Sequence, residues 1–431
     1  MIMADGNTAA AIGSIFGGAQ FLSWYPITPA SSLAEAMIDY FPMLRKRDDN
    51  KNTYAVVQAE DELAAIGMAI GAGWAGLRSV TSTSGPGLSL MTEFAGMAYY
   101  AEVPVVIWDV QRVGPSTGLP TRTSQADLTF VNFLGHGDTQ SVILLPGDVN
   151  ECFEFGWKSF DIAERLQTPV YVLTDLDMGM NQWMSEPFKY PDSPMDRGKV
   201  IWEEDLEELK GNWGRYRDVD GDGIPYRTVP GNKNPMSAYF TRGTGHDENA
   251  RYTEDSEIFK KNMDRLKKKY EGAREIVPAP DVHKIKGATI GIIAYGSTEP
   301  AILEAINQLK TDHGITAEFM RIRAVPFSKK VRQFVEKYDD VYVVELNREG
   351  QLKQLLALEY PHRATNLQSI AMGDGMPASA RWVRESLLEL YEAETAKAKA
   401  KAKSAAGKSK SKKVATKSKK SPAKKTSSRK K

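Results

Sequence analysis

Short apolar runs rich in Val and Ile recur at 54–57, 77–82, 103–109, 141–145 and 169–174, and segments of helical length such as 60–75 and 87–101 lie between them. A small-residue helix at 7–19, a strand near 21–25 and a helix from about residue 31 open the same pattern. Strands this short and this apolar are buried on both faces, and their alternation with helices predicts a mostly parallel sheet with helices covering it. In an open α/β sheet the loops that follow the strands collect polar groups at one edge, the usual place for a ligand.

The alternation fails between about 181 and 285, where Trp, Tyr, Pro, Gly and charge dominate and one helix, at about 254–272, is legible. This stretch reads as a long linker with local structure of its own, packed across a domain boundary. Regular alternation resumes with the strand ATIGIIAYG from 288, the helix TEPAILEAINQLK, the strands ITAEFMRI and DVYVVEL, and the helices SKKVRQFVEKY and GQLKQLLALEY. The expected division is therefore 1–185 for a first α/β domain, 186–285 for the linker region, 286–394 for a second, smaller α/β domain, and 395–431 for a tail.

Charge isolates that tail. From Lys397 to Lys431 there are 16 Lys or Arg and no acid, so the rest of the chain carries 40 basic against 55 acidic residues, although the formal net charge is only +1. A segment of Ala, Lys and Ser cannot bury enough apolar surface to fold, so a disordered basic tail is expected. It has no aromatic residue for base stacking, so any nucleic-acid binding through it is expected to be sequence-blind.

Composition narrows the remaining classes. No apolar run approaches the roughly 20 residues of a membrane helix, and the N-terminus has no basic region ahead of an apolar stretch, so a cytoplasmic chain is expected. Cys152, the one cysteine, excludes an internal disulfide and any iron–sulfur cluster held only by this chain's cysteines. Its setting, NECFEFGWKSF, reads as a helix with a buried structural thiol.

Chemistry concentrates in four segments: YPITPASS (25–32), EDELAAIGMAIGAG (60–73), TSTSGPG (81–87) and QRVGPSTGLPT (111–121) with QADL after it. A carboxylate at the start of an otherwise apolar, small-residue helix has a raised pKa unless paired and can share a proton with a ligand nitrogen. It can equally be an ordinary acid on a helix dipole. Arg112 closes the strand VPVVIWDV, and its planar fork suits a carboxylate.

In combination these motifs resemble the alpha subunits of the 2-oxoacid:ferredoxin oxidoreductases, over roughly residues 5–390. ELNREGQL (345–352) and DGIPYRTVPG (222–231) add to the resemblance. It implies an α/β thiamine-diphosphate-binding domain of the pyrimidine type followed by a transketolase C-terminal-like α/β domain. The activity implied is oxidative decarboxylation of a 2-oxoacid with CoA, electrons passing to ferredoxin. 2-Oxoglutarate is the first expectation; pyruvate and branched-chain or aryl 2-oxoacids stay open, as does a thiamine dehydrogenase that passes electrons to lipoamide.

By the same resemblance a glutamate hydrogen-bonds N1′ of the aminopyrimidine and favours the imino tautomer that takes the proton from the thiazolium C2. Glu62 lies nine residues before the helix glycine Gly71, the family spacing, whereas Glu60 needs a two-residue shift; both remain candidates. Thr28 is expected near the reacting carbonyl, or else as a helix-capping hydroxyl. Arg112 is expected at the substrate carboxylate. Gly114, Pro115, Ser116 and Thr117 are expected to form a loop able to close over the substrate, and Thr83, Ser84 and Gly85 are expected to neighbour the cofactor.

GDG at 221–223, with Asn249 further on, superficially fits the Mg²⁺–diphosphate motif of thiamine enzymes, but no apolar strand leads into it, and Pro225 and Pro230 spoil the helix that should follow. Asp218, Asp220 and Asp222 resemble the start of a calcium loop whose twelfth position is Val229, without the bidentate glutamate. A polar turn is the expectation, and no metal site is assigned to this chain. The resemblance places the diphosphate domain, Mg²⁺ and a [4Fe–4S] cluster on a beta subunit, with the active site formed between chains and a gamma subunit separate or absent.

Overall fold

The computed structural model describes residues 1–396 except 46, 48 and 50, and the features below belong to the compact unit Met1–Val383. The Lys-rich tail from 397, with the polyanion contacts expected of it, lies outside the described residues. Among the described residues no helix is long and apolar enough to cross a membrane.

The chain opens with β1 (Ile2–Ala4), α1 (Gly6–Phe16), β2 (Phe21–Trp24), α2 (Ser31–Leu44), β3 (Ala55–Gln58), α3 (Glu62–Trp74), β4 (Ser79–Thr83), α4 (Gly85–Ala101) and β5 (Val105–Val113). It continues through β6 (Leu119–Thr123), α5 (Leu128–Asn132), β7 (Val142–Leu144), α6 (Val149–Leu166), β8 (Pro169–Asp175), α7 (Leu176–Met180) and β9 (Trp183–Ser185). The linker region holds α8 (Glu203–Glu208) and α9 (Ser256–Ala273). After β10 (Asp281–His283) come β11 (Ile290–Ala294), α10 (Glu299–His313), β12 (Ala317–Arg321), β13 (Ala324–Val325), α11 (Lys329–Lys337), β14 (Val341–Glu345), α12 (Gln351–Glu359) and β15 (Leu367–Ala371).

The larger sheet runs β13-β7-β8-β5-β4-β2-β3, parallel except at β13, with β6 folded back antiparallel on β5. The smaller runs β10-β12-β11-β14-β15 and is parallel except at β10. Parallel order is what the near-continuous apolar strands demand: every residue of β4, β7 and β8 is buried, and so is all of β5 but its last.

One core lies between the two sheets. Ile66, Met91 and Ile107 on one side share it with Ile293, Met320 and Leu352 on the other. The second core, under α1, α2 and α6, holds Cys152, fully buried, where burial pushes the thiol up. β13 was not legible in the sequence: two residues of the second sheet's segment pair with β7 and extend the first sheet.

The linker region is fixed by buried charge. Glu102, the left-handed C-cap of α4, is fully buried and takes Lys269 Nζ of α9 at 2.7 Å and both outer guanidinium nitrogens of Arg265. Burial alone would raise the Glu102 carboxyl, but Arg265 and Lys269 hold it down at about 2. Burial pushes Lys269 down to about 8, because the pull of Glu102 is opposed by Arg265 and Arg215 nearby. Two cations share one carboxylate, and α9 brings them to it across 163 and 167 residues of chain.

The DGDG turn also carries charge on charge. Lys199 Nζ sits 2.7 Å from Asp220 Oδ2 and 2.8 Å from Asp222 Oδ1, while Asp218 accepts the N–H groups of Gly221 and Gly223. The three acids that resembled a calcium loop thus have an ammonium and the amides of Gly221, Gly223 and Ile224 as partners.

Candidate active site

Four parallel strands, β2 to β5, end at one edge of the larger sheet, and the four sequence segments are the loops and helix starts that follow them. This convergence follows from parallel order, because each strand's carboxyl end must turn into the next connection on the same side.

After β2 the chain makes an exposed loop through Tyr25, Pro26 and Thr28, with a cis bond to Pro29. Asn7 on α1 ties it down, donating to Pro29 O at 2.9 Å and to Ser32 Oγ at 2.7 Å. Thr28 is not a helix cap: Ala30 occupies that position, with no side-chain cap bond. The Thr28 hydroxyl is left toward solvent, and its carbonyl accepts Arg112 Nη1 at 2.7 Å.

At α3 the two candidate glutamates separate. Glu60 is exposed in the turn before the helix, and Asp61 is the N-cap, accepting Ala64 N–H at 2.7 Å. Glu62, the first helical residue, is 7% exposed and has no hydrogen-bond partner among the described residues. Since Asp61 already satisfies the helix end, capping does not explain a buried acid there.

Glu62 faces the TSGPG turn. A Cβ at Gly87 would fall 2.0 Å from Thr83 Oγ1, 2.8 Å from Glu62 Cγ and 3.1 Å from Glu62 Oε1, so only glycine lets α4 start this close. Thr83 and Ser84 are fully buried, and Ser84 Oγ, like Ser82 Oγ and Thr81 Oγ1 beneath it, has no partner among the described residues. Gly85 rests against the carboxyl of Asp127, whose oxygens lie 2.8 Å from where a Cβ would stand.

Arg112 is 7% exposed near the end of β5. Burial lowers its pKa, Asp127 counters that, and its Nε has no partner among the described residues. Beyond it Gly114, Pro115, Ser116 and Thr117 are all exposed in the hairpin between β5 and β6. The hairpin closes at Gly118 (φ 50°), where a Cβ would stand 1.7 Å from Val113 O.

The structure thus brings Thr28 and Arg112 into contact, and Glu62 against Thr83 and the start of α4; it leaves Glu60 outside. Three further residues belong to the site and received no role from sequence. Gln125 joins the two sheets: its N–H and Oε1 bond Leu346 O and N at 2.7 and 3.0 Å, its Nε2 donates to Tyr295 O at 2.9 Å, and its carbonyl accepts Tyr295 Oη and Asn347 Nδ2, both at 2.9 Å. Asp109 and Asp127 form a buried carboxyl pair behind Arg112, Asp109 being fully buried. A charged residue inside the apolar run VPVVIWDV was the one signal that could have found Asp109.

With this geometry in view, residues 12–200 match the family model described as pyruvate flavodoxin/ferredoxin oxidoreductase, thiamine diP-bdg. The chain is 37% identical, over 83% of its length and 56% of the relative's, to "2-oxoacid:ferredoxin oxidoreductase 2, subunit alpha" of Aeropyrum pernix. It is 34% identical, over 80% of its length and 87% of the relative's, to "2-oxoglutarate synthase subunit KorA" of Methanothermobacter marburgensis. Among solved structures, 2-oxoglutarate:ferredoxin oxidoreductase from Magnetococcus marinus, with 2-oxoglutarate, coenzyme A and succinyl-CoA bound, superposes with a TM-score of 0.80 at 30% identity, covering 90% of this chain and 65% of that one. The chain spans from 55% to 61% of the length of the five 2-oxoacid:ferredoxin oxidoreductase alpha subunits it matches. The chain belongs to the alpha-subunit family of the 2-oxoacid:ferredoxin oxidoreductases.

Proposed function

We propose that this chain supplies the aminopyrimidine half of a thiamine diphosphate site for oxidative decarboxylation of 2-oxoglutarate to an acyl-CoA, with a beta subunit supplying the rest. The observation that carries the reading is Glu62: a buried carboxylate without a hydrogen-bond partner among the described residues, next to a turn kept free of side chains by Gly87. Those features fit the polar edge of an aminopyrimidine, and the unpartnered Ser84 hydroxyl adds a further group to the same edge.

Thiamine diphosphate, when bound, supplies the nucleophilic carbon and the electron sink for loss of CO₂. Glu62, shielded from water, would be placed to exchange a proton with N1′. Arg112, with Nε unpartnered among the described residues and Nη1 held by Thr28, orients the substrate carboxylate, and the fixed loop brings the Thr28 hydroxyl beside the reacting carbonyl. The exposed hairpin from Gly114 to Thr117 covers the substrate and excludes water. Glu60, exposed in the turn before α3, takes no part in this chemistry.

Diphosphate, Mg²⁺ and a [4Fe–4S] cluster are assigned to the beta subunit, consistent with a lone Cys152 locked in the helix core. Ferredoxin takes the electrons, and a gamma chain is a further candidate partner. 2-Oxoglutarate is preferred over pyruvate because both KorA and the Magnetococcus enzyme carry it in their descriptions.

Co-purification from native cells tests the reading. A brown complex with a second polypeptide, iron and thiamine diphosphate, reducing viologen with 2-oxoglutarate and CoA, is the expected result. Turnover by the purified chain alone, or preference for pyruvate, would overturn the subunit or substrate part respectively.

A further inference from the structure

Behind Arg112 lies a pair of carboxyls that the chemistry above does not use. Asp109 sits in β5 between Thr83 of β4 and Leu173 of β8, fully buried, and neither of its oxygens receives an N–H or O–H from the described residues. The group in hydrogen-bond contact with it is the carboxyl of Asp127, which lies against Gly85 at the start of α4 and attracts Arg112. Asp109 is fully buried and Asp127 is half-buried with its Oδ2 enclosed, and two carboxyls in contact there do not both ionise readily; one proton lies between them.

The surroundings fix where the charge rests. Burial pushes Asp109 well above the carboxylate range, and Asp127 is pushed up to about 6 by burial, countered by its bond to Asp109 and the Arg112 charge. The other ionisable group facing the pair is Tyr295, after β11; Asp175 at the end of β8 and Glu345 on β14 also act on that tyrosine. Asp175 is held by Ser297 Oγ at 2.6 Å, and Glu345 by Asn347 and the start of α12. β4 offers only the hydroxyls of Ser82 and Thr83, and α4 its N-terminal backbone.

We propose that Asp109 and Asp127 hold one proton between them and act as a proton-linked counter-ion that sets how tightly Arg112 binds an incoming carboxylate. The inference rests on the reading of Arg112 as the substrate-carboxylate contact. With Asp127 ionised, its charge already acts on the guanidinium and a second anion enters against repulsion. When Asp127 takes a proton from solvent, the guanidinium is free for the substrate; one proton is taken up with the carboxylate and returned on release. Both aspartates are positioning residues, acting through Arg112.

The experiment measures KM and kcat for 2-oxoglutarate on the assembled enzyme between about pH 5 and 8, with an infrared difference spectrum on binding. Wild type is expected to show KM rising about tenfold across the Asp127 titration, with kcat changing less. Asp109→Asn gives Asp127 an amide donor that keeps it ionised, so KM becomes high and flat. Asp127→Asn removes the counter-ion, so KM becomes low and flat. Opposite displacements by two isosteric changes in one cluster are not what a folding defect produces. Displacement in the same direction, or the wild-type profile in both variants, overturns the proposal. The infrared arm needs no variant: a protonated-carboxyl C=O band in the free wild-type enzyme that grows on binding is expected, and its absence overturns the proposal. Arg112→Gln separates the two readings. An unchanged KM there sinks the role of Arg112 itself, whereas a raised KM beside unchanged aspartate profiles sinks only the pair.

Discussion

Glu62 and Gly87 are in contact across the starts of two helices, with 3.1 Å between Glu62 Oε1 and the position a Cβ of residue 87 would take. The acid is therefore positioned by the backbone of the TSGPG turn, with no hydrogen bond from a side chain of the described residues. Gly87→Ala should push α4 or the carboxylate aside. We expect a destabilisation of about 1–3 kcal/mol and a loss of about 10²-fold in viologen reduction. A variant that melts earlier but turns over normally would show that Glu62's placement is not critical.

Glu62→Gln and Glu60→Gln should behave differently although the residues are two apart. The first removes the proton carrier, and turnover should fall by about 10²–10⁴-fold. The second changes an exposed side chain and should leave turnover within about twofold. Steady-state assays of both reconstituted variants decide; equal losses would mean the sequence alternative was wrongly resolved.

Acid should loosen the hold on α9. The Glu102 carboxyl lies at about 2 in the folded chain against an ordinary 4.5, so the unfolded state binds the proton better. Its contribution, about 3 kcal/mol, is present above pH 4.5 and is lost as pH falls toward 2. Glu102→Gln should lower stability at neutral pH and flatten the acid limb of a denaturant midpoint-against-pH curve. An acid limb as steep as wild type would assign that slope to other carboxylates.

Calcium should not stabilise the chain, because the Lys199 ammonium already lies against Asp220 and Asp222. Thermal melts with and without added calcium should coincide. A rise of several degrees would show that the cation displaces Lys199.

Gln125→Ala should weaken the joint between the sheets. It strips the partner from Leu346 N–H, inside the protein, at about 1–3 kcal/mol, whereas Tyr295 C=O keeps the hydroxyl of Thr298. Hydrogen exchange should quicken around Tyr295 and Leu346; unchanged protection there would mean that water or the apolar core carries the joint.

The sequence by itself determined the alternation of strands and helices and the edge at which the motifs meet. Both are local properties: periodicity of apolar residues sets each element, and parallel order sends every carboxyl end to the same side. It also narrowed the proposed proton carrier to two glutamates, and only packing creates the difference in burial between Glu62 and Glu60 on which the proposal chooses. What the tertiary structure alone decided are encounters between distant residues. Lys199 meets a loop 23 residues on, Gln125 reaches Leu346 221 residues away, and Glu102 gathers cations from α9. The Asp109–Asp127 pair belongs to the same class, since nothing local to either residue tells that the other shares its proton. A charge in water looks alike wherever it stands in a chain; once solvent is removed, its neighbours set its state, and the fold chooses the neighbours.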